Sequence, residues 1–251
     1  MHHLTILTGA SRGMGLAMVT QLCQPDARLL CISRHNATGL ARLAEQRGAD
    51  LVQWVADLSD AATVAGQLSG WLKTQDAAPL ASATLINNAA LVGRVGPLDP
   101  ADLADVASTL RVDLEAPMLL TAVFLTATRH WAMPKKILNI SSGLGRRAMA
   151  GASLYCAAKA GMDHYSRCVA LDESRQAHAV CIVSLAPGVI DTDMQSDLRA
   201  SDPARFPDRA NFVQLKETGT LASPETAARR VLAYLARPDF GEQPVADVRD
   251  A

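Results

Sequence analysis

Aromatic side chains are scarce in this chain, at 4% of its 251 residues, while 49% are apolar, so any core must be packed mainly from Ala, Leu, Val and Ile. An excess of charge is also missing. The formal net charge is -1 and no basic run stands out, which argues against nucleic acid as a partner. The five cysteines (Cys23, Cys31, Cys156, Cys168, Cys181) form no C-x-x-C pair and no cluster. That excludes a zinc frame and suits reduced thiols in the cytoplasm. His2 and His3 are adjacent and lack further ligands, so no metal is expected. No apolar run approaches the ~18 residues of a membrane span, and no repeat or low-complexity tract is present. The opening MHHLTILTGAS runs straight into a strand and a glycine loop, unlike a signal peptide.

What the chain does have is alternation. Short apolar runs (4–7, 28–33, 51–55, 83–86, 136–140, 179–185 and 245–248) are separated by helical periodicity at about 16–22, 38–47, 60–74, 100–131 and 154–169. A further helix opens at Ser223-Pro224-Glu225, with Ser at the N-cap and Pro in the first turn. Strands alternating with helices predict an α/β fold, a single doubly wound parallel sheet with helices on both faces. The length predicts one domain over 1–251. The stretch from Asp191 to Gly219 is long for a connection and predicts a substrate lid with helical pieces.

Thr8-Gly9-Ala-Ser11-Arg12-Gly13-Met14-Gly15 follows the first strand and opens the first helix. Glycines there let the backbone approach a pyrophosphate at a helix N-terminus. No Gly-Lys-Ser/Thr follows, so the loop is not a P-loop. An NAD site usually carries an acid at the end of the second strand. Here Ser33 and Arg34 occupy that place, and Arg12 lies in the loop. Two guanidiniums and a hydroxyl suit a 2′-phosphate and predict NADP(H).

Tyr155 and Lys159 are four residues apart, one turn along a helix, and Ser142 precedes Tyr155 by thirteen. A free phenol titrates near pH ~10. A neighbouring ammonium lowers that value and fits Tyr155 for proton exchange with a substrate oxygen. Ser142 is placed to bond the same oxygen.

Together these residues resemble the short-chain dehydrogenase/reductase family along essentially the whole chain. The matching pieces are the glycine loop, Asp57-Leu58, Asn87-Asn88-Ala89-Ala90, Ser142, Tyr155-(x)3-Lys159, and Pro187-Gly188 with Thr192. The resemblance implies that Asp57 and Leu58 contact the adenine end and that Asn87, Asn88 and Ala89 border the cofactor. It has Thr192 hold the nicotinamide carboxamide and Lys159 the nicotinamide ribose, and it counts Ser11, Met14, Tyr155, Pro187, Gly188 and Ile190 among the cofactor-binding residues. It makes Tyr155 the proton donor, Ser142 its partner, and Lys159 the residue that lowers the tyrosine pKa. A homodimer or homotetramer is implied as well.

Two positions depart from the family pattern. Ala90 stands where glycine is usual, and Asp113 stands where the family usually has asparagine. Pro117 has no N–H for the Asp113 carbonyl, which in a helix leaves that carbonyl free to bind a relay water. In the C-terminal third, Ala186–Gln195, Leu215–Leu221 and the ending Val245–Asp250 look like sepiapterin reductases and bacterial benzil reductases, and Asp247 matches an acid that anchors the pterin in the former. The expected function is therefore NADPH-dependent reduction of vicinal dicarbonyls, of the benzil type or on a sepiapterin-like pterin. The competing reading is a non-catalytic NADP(H)-binding sensor with the same fold.

Overall fold

The computed structural model describes residues 1–99 and 102–250. Seven strands, β1 (His2–Thr8), β2 (Ala27–Ser33), β3 (Asp50–Val55), β4 (Leu80–Asn87), β5 (Lys135–Ile140), β6 (Val180–Ala186) and β7 (Val245–Asp247), pair in one parallel sheet. Their order is β3-β2-β1-β4-β5-β6-β7. The order reverses between β1 and β4, which opens a crevice at the carboxyl ends of the strands.

Successive side chains on a strand point to opposite faces. On β1, Leu4 and Ile6 pack with Leu68 of α3 (Ala61–Lys73) and with Leu120 and Phe124 of α5 (Ala116–Ala127). Leu7 belongs to the other layer, with Met18 and Val19 of α1 (Gly13–Leu22) and Ala227 and Val231 of α9 (Pro224–Leu235). The helix α2 (Leu40–Arg47) completes that layer through Leu40 and Ala44. Ser223 caps α9 by accepting from Thr226 N, with Pro224 in the first turn, as its sequence predicts.

The long helix expected over 100–131, with an interruption, is found interrupted. Its first two positions lie outside the described residues, and α4 (Leu103–Leu110) leads into a π turn at Arg111–Glu115 before α5. The turn closes with Ala116 N donating to Arg111 O. Pro117 supplies the local reason, because it cannot continue the i→i−4 ladder. The segment 191–219 holds α7 (Asp193–Ala200) and α8 (Arg209–Glu217), the helical pieces its length predicts. Among the described residues no helix is long and apolar enough to cross a membrane.

Candidate active site

A cleft of about 820 Å³ runs along the carboxyl ends of β1, β2, β4, β5 and β6. The glycine loop forms its floor. Gly9 and Gly13 have φ of 71° and 53°, and a Cβ on Gly15 would collide with the Gly9 carbonyl. The first turn of α1 has no side-chain cap, so its N–H groups face the cleft without a protein partner from that position. This uncapped helix start behind a close backbone turn fits a pyrophosphate. Ser11, Arg12 and Met14 line the same floor.

Neighbouring loops hold the floor in shape. Thr8 Oγ1 accepts from Asn88 N (3.0 Å) and Ala89 N (3.1 Å), and Asn88 Nδ2 donates to Thr8 O and Gly9 O. Asn87 does not reach the cleft, contrary to expectation. It ends β4 on the opposite side from Asn88, is buried, and donates to Asn139 Oδ1 at 2.8 Å. Asn139 in turn donates to Ser166 Oγ (2.9 Å), so Asn87 belongs to an internal polar chain.

At the β2 end, Ser33, Arg34, His35, Asp57 and Leu58 border the cleft. Ser33 Oγ accepts from Ala10 N (2.8 Å), which ties the glycine loop to β2. Arg34 is exposed, and no acid follows β2. Asp57 caps the next turn through Ser59 N at 2.9 Å. That bond, with Arg34 as a lesser contributor, holds its carboxyl below the usual range. Arg12 is turned elsewhere. Its Nη1 lies 2.7 Å from Asp193 Oδ2 on α7, so it spans the cleft rather than joining Arg34.

The other end is closed by α6 (Ser153–Glu173), which carries Tyr155 and Lys159 on one face. Ser142 lies opposite, at the end of β5, where its hydroxyl also accepts from Leu144 N (3.1 Å). Lys159 Nζ sits 5.5 Å from the Tyr155 ring centroid and donates to Ile140 O at 3.1 Å. Asp113 is wholly buried behind it, neither solvent-facing nor part of the cleft wall. Its Oδ1 accepts from Leu91 N (2.7 Å), and Oδ2 lies 3.8 Å from Lys159 Nζ. The contact to the lysine is therefore made by the side chain, whereas the sequence directed attention to the backbone carbonyl.

One electrostatic expectation is corrected. The Tyr155 phenol is pushed up rather than down, by burial first and by the negative charge of Asp113 second, with the Ser142 hydroxyl opposing the rise. Asp113 answers the lysine charge that was expected to favour the phenolate. Burial pulls the Lys159 pKa down while Asp113 and Asp163 hold it up. Burial likewise pushes the Asp113 carboxyl up to about 6, with Lys159 opposing.

Pro187, Gly188, Ile190 and Thr192 line the wall beyond Tyr155, and Gly188 has φ of 83°. The segment 191–219 closes this side: Gln195, Leu198 and Phe212 line the cleft, and Phe206 is buried against Phe212 with centroids 5.5 Å apart. Asp247 also reaches the cleft, but its carboxylate is occupied. Arg249 donates to it from Nε (2.8 Å), Nη2 (2.6 Å) and its backbone N (2.9 Å).

The model of the short chain dehydrogenase family matches residues 3–203. The chain belongs to that family. It is 34% identical to a benzil reductase ((S)-benzoin forming) of Bacillus cereus, over 94% of each chain. It is 33% identical to the sepiapterin reductase of Mus musculus, covering 94% of this chain and 92% of the mouse protein. Among solved structures, a short-chain dehydrogenase/reductase from Burkholderia vietnamiensis matches with a TM-score of 0.66 and 34% identity, covering 99% and 98% of the two chains.

As a short-chain dehydrogenase, this chain carries groups around its tyrosine that motif reading missed. Asp163 is buried, accepts from Ser141 Oγ (2.6 Å) and Ser184 Oγ (2.7 Å), and pairs with Arg146 Nε at 3.2 Å. A signal for it was available, because Asp163 follows Lys159 by four residues and so shares its helix face. Arg249, two residues after Asp247, read only as a surface neighbour, since the docking of β7 beside β6 is what turns the pair to the cleft.

Proposed function

We propose that this chain is an NADPH-dependent carbonyl reductase of vicinal dicarbonyls. One observation carries the reading: Tyr155, Ser142 and Lys159 meet at the closed end of a cleft whose other end presents Arg34 directly after β2, where no acid stands. The nicotinamide, when bound, supplies the hydride. The protein does the rest. The α1 N-terminus and the glycine loop hold the pyrophosphate, while Ser33 and Arg34 take the 2′-phosphate. Ser142 fixes the carbonyl oxygen, and Tyr155 gives it a proton. Lys159 keeps that proton path charged, and Thr192 with Pro187, Gly188 and Ile190 orients the nicotinamide face.

Benzil and sepiapterin reductases among its relatives support a dicarbonyl substrate or a sepiapterin-like pterin. The Asp247–Arg249 pair favours the aryl diketone, since a pterin edge would have to displace a guanidinium held by two side-chain bonds. A cytoplasmic, self-associating enzyme completes the reading, consistent with five free cysteines. The competing sensor function keeps cofactor binding without turnover.

The test is NADPH oxidation with benzil, an aliphatic 1,2-diketone and sepiapterin, repeated with NADH. Turnover with NADPH, and a preference for benzil, is the expected result. Binding of NADPH with no turnover on any of the three ketones would favour the sensor.

A further inference from the structure

We propose that Asp113 is a positioning residue that cancels the charge of Lys159 and so keeps Tyr155 in its phenol form, making the site a proton donor to carbonyls rather than a proton acceptor from alcohols. The inference rests on Tyr155 being the acid of the proposed reaction.

Geometry carries it. Asp113 and Lys159 are 0% and 2% exposed, and their charged atoms are 3.8 Å apart. One carboxylate oxygen is fixed by Leu91 N, whereas Oδ2, facing the lysine, has no hydrogen-bond partner. The π turn at Arg111–Glu115 delivers this side chain: Asp113 and Val112 point inward while Arg111 and Glu115 are exposed. A lone buried ammonium beside a phenol stabilises the phenolate, and a carboxylate on the far side of that ammonium removes the effect.

The surroundings offer few competing charges. From α6 the ionisable neighbours are Tyr155, Cys156, Lys159 and, beyond the lysine, Asp163, which pairs with Arg146 from the turn after β5. The loop after β4 contributes the Leu91 N–H, and α4 contributes Asp105, whose carboxylate accepts from Arg94 N at 2.8 Å. The helix α5 has no ionisable residue, and Asp57 and Asp60 on the turn before α3 are exposed. The directions at Tyr155 and Lys159 agree with this arrangement, since the Tyr155 phenol is raised partly by Asp113, and Asp113 supports the charge on Lys159.

Reduction of the carbonyl carbon by a reduced nicotinamide leaves one proton to be delivered at oxygen. The Tyr155 O–H bond breaks as the alcohol O–H forms, and the phenolate then regains its proton from water entering the emptied cleft, which Tyr155 lines. In the opposite direction Tyr155 must begin as phenolate, the state that Asp113 disfavours.

Asp113→Asn keeps an acceptor for Leu91 N and removes the charge. The phenolate absorbance of Tyr155, isolated as a difference against Tyr155→Phe in each background, is expected to titrate roughly one pH unit lower in this variant. At saturating alcohol and neutral pH, kcat for alcohol oxidation is expected to gain about tenfold, the same shift expressed as a rate. An unchanged titration midpoint would overturn the proposal. Wild type gives a second readout that needs no variant: its reduction rate should hold to about pH 9, and a basic limb near pH 7 would contradict the account. A shifted midpoint without ketone turnover would leave the charge compensation standing and remove the proposed function. Ketone turnover with an unmoved midpoint would do the reverse.

Discussion

Lys159 meets its carboxylates almost out of contact with water, whereas Arg34 and Asp57 stand in solvent at the other end of the same cleft. Between the two ends, Arg12 and Asp193 reach across with side chains 68% and 71% exposed. Burial makes charges consequential at the α6 end, where desolvation first and the Asp113 carboxylate second push the tyrosine up. At the β2 end water and salt screen each charge, and what is left is recognition of a bound phosphate. One end sets the chemistry, the other the choice of cofactor.

Removing a charge at the buried end should have the largest effect. Lys159→Met leaves Asp113 without its counter-ion, and breaking a buried pair costs about 3–5 kcal/mol. Urea unfolding at neutral pH should show that loss; a change below 1 kcal/mol would mean that water reaches the pair. Next comes the pH linkage of Asp113. Its folded carboxyl is raised from 3.8 to about 6. Its contribution to stability is therefore full below pH 4 and is lost as pH rises through 6. Asp113→Asn lacks this titration, so the stability difference between variant and wild type should move in the variant's favour by on the order of 3 kcal/mol between those limits.

At the open end the effects shrink. Arg34→Ala should weaken NADPH by about 10- to 100-fold, the value of one charge-assisted contact of ~1.5–3 kcal/mol, and leave NADH nearly unchanged. Raising the salt should narrow that gap, and equal losses for both cofactors would move the 2′-phosphate site elsewhere. Arg12→Ala should cost less than about 1 kcal/mol in stability, as expected for an exposed pair. A larger loss would mean that the bridge to α7 holds segment 191–219 in place.

Much of the fold was legible because its signals are local. Alternating apolar runs gave the strands, Gly9 and Gly15 marked the turn into α1, and Pro117 marked the break before α5. The cleft-lining residues of the motifs were legible for the same reason. Asn87 was not, because β4 is buried along its carboxyl-terminal half and its apolar pattern does not tell one face from the other. The pairing of Asp247 with Arg249 was not legible either. An acid two residues before an arginine reads as a surface pair until β7 is docked beside β6. The part Asp113 plays at Tyr155 was hidden because Asp113 and Lys159 lie 46 positions apart, and no local pattern links them.

The most direct test of the central claim is single-turnover reduction of benzil by NADPH-loaded wild type and Tyr155→Phe. A rate loss of about 10²- to 10⁴-fold at unchanged NADPH affinity is the result expected of a lost general acid. Equal rates in the two proteins would show that the proton comes from another group, and the account of Tyr155 would fall.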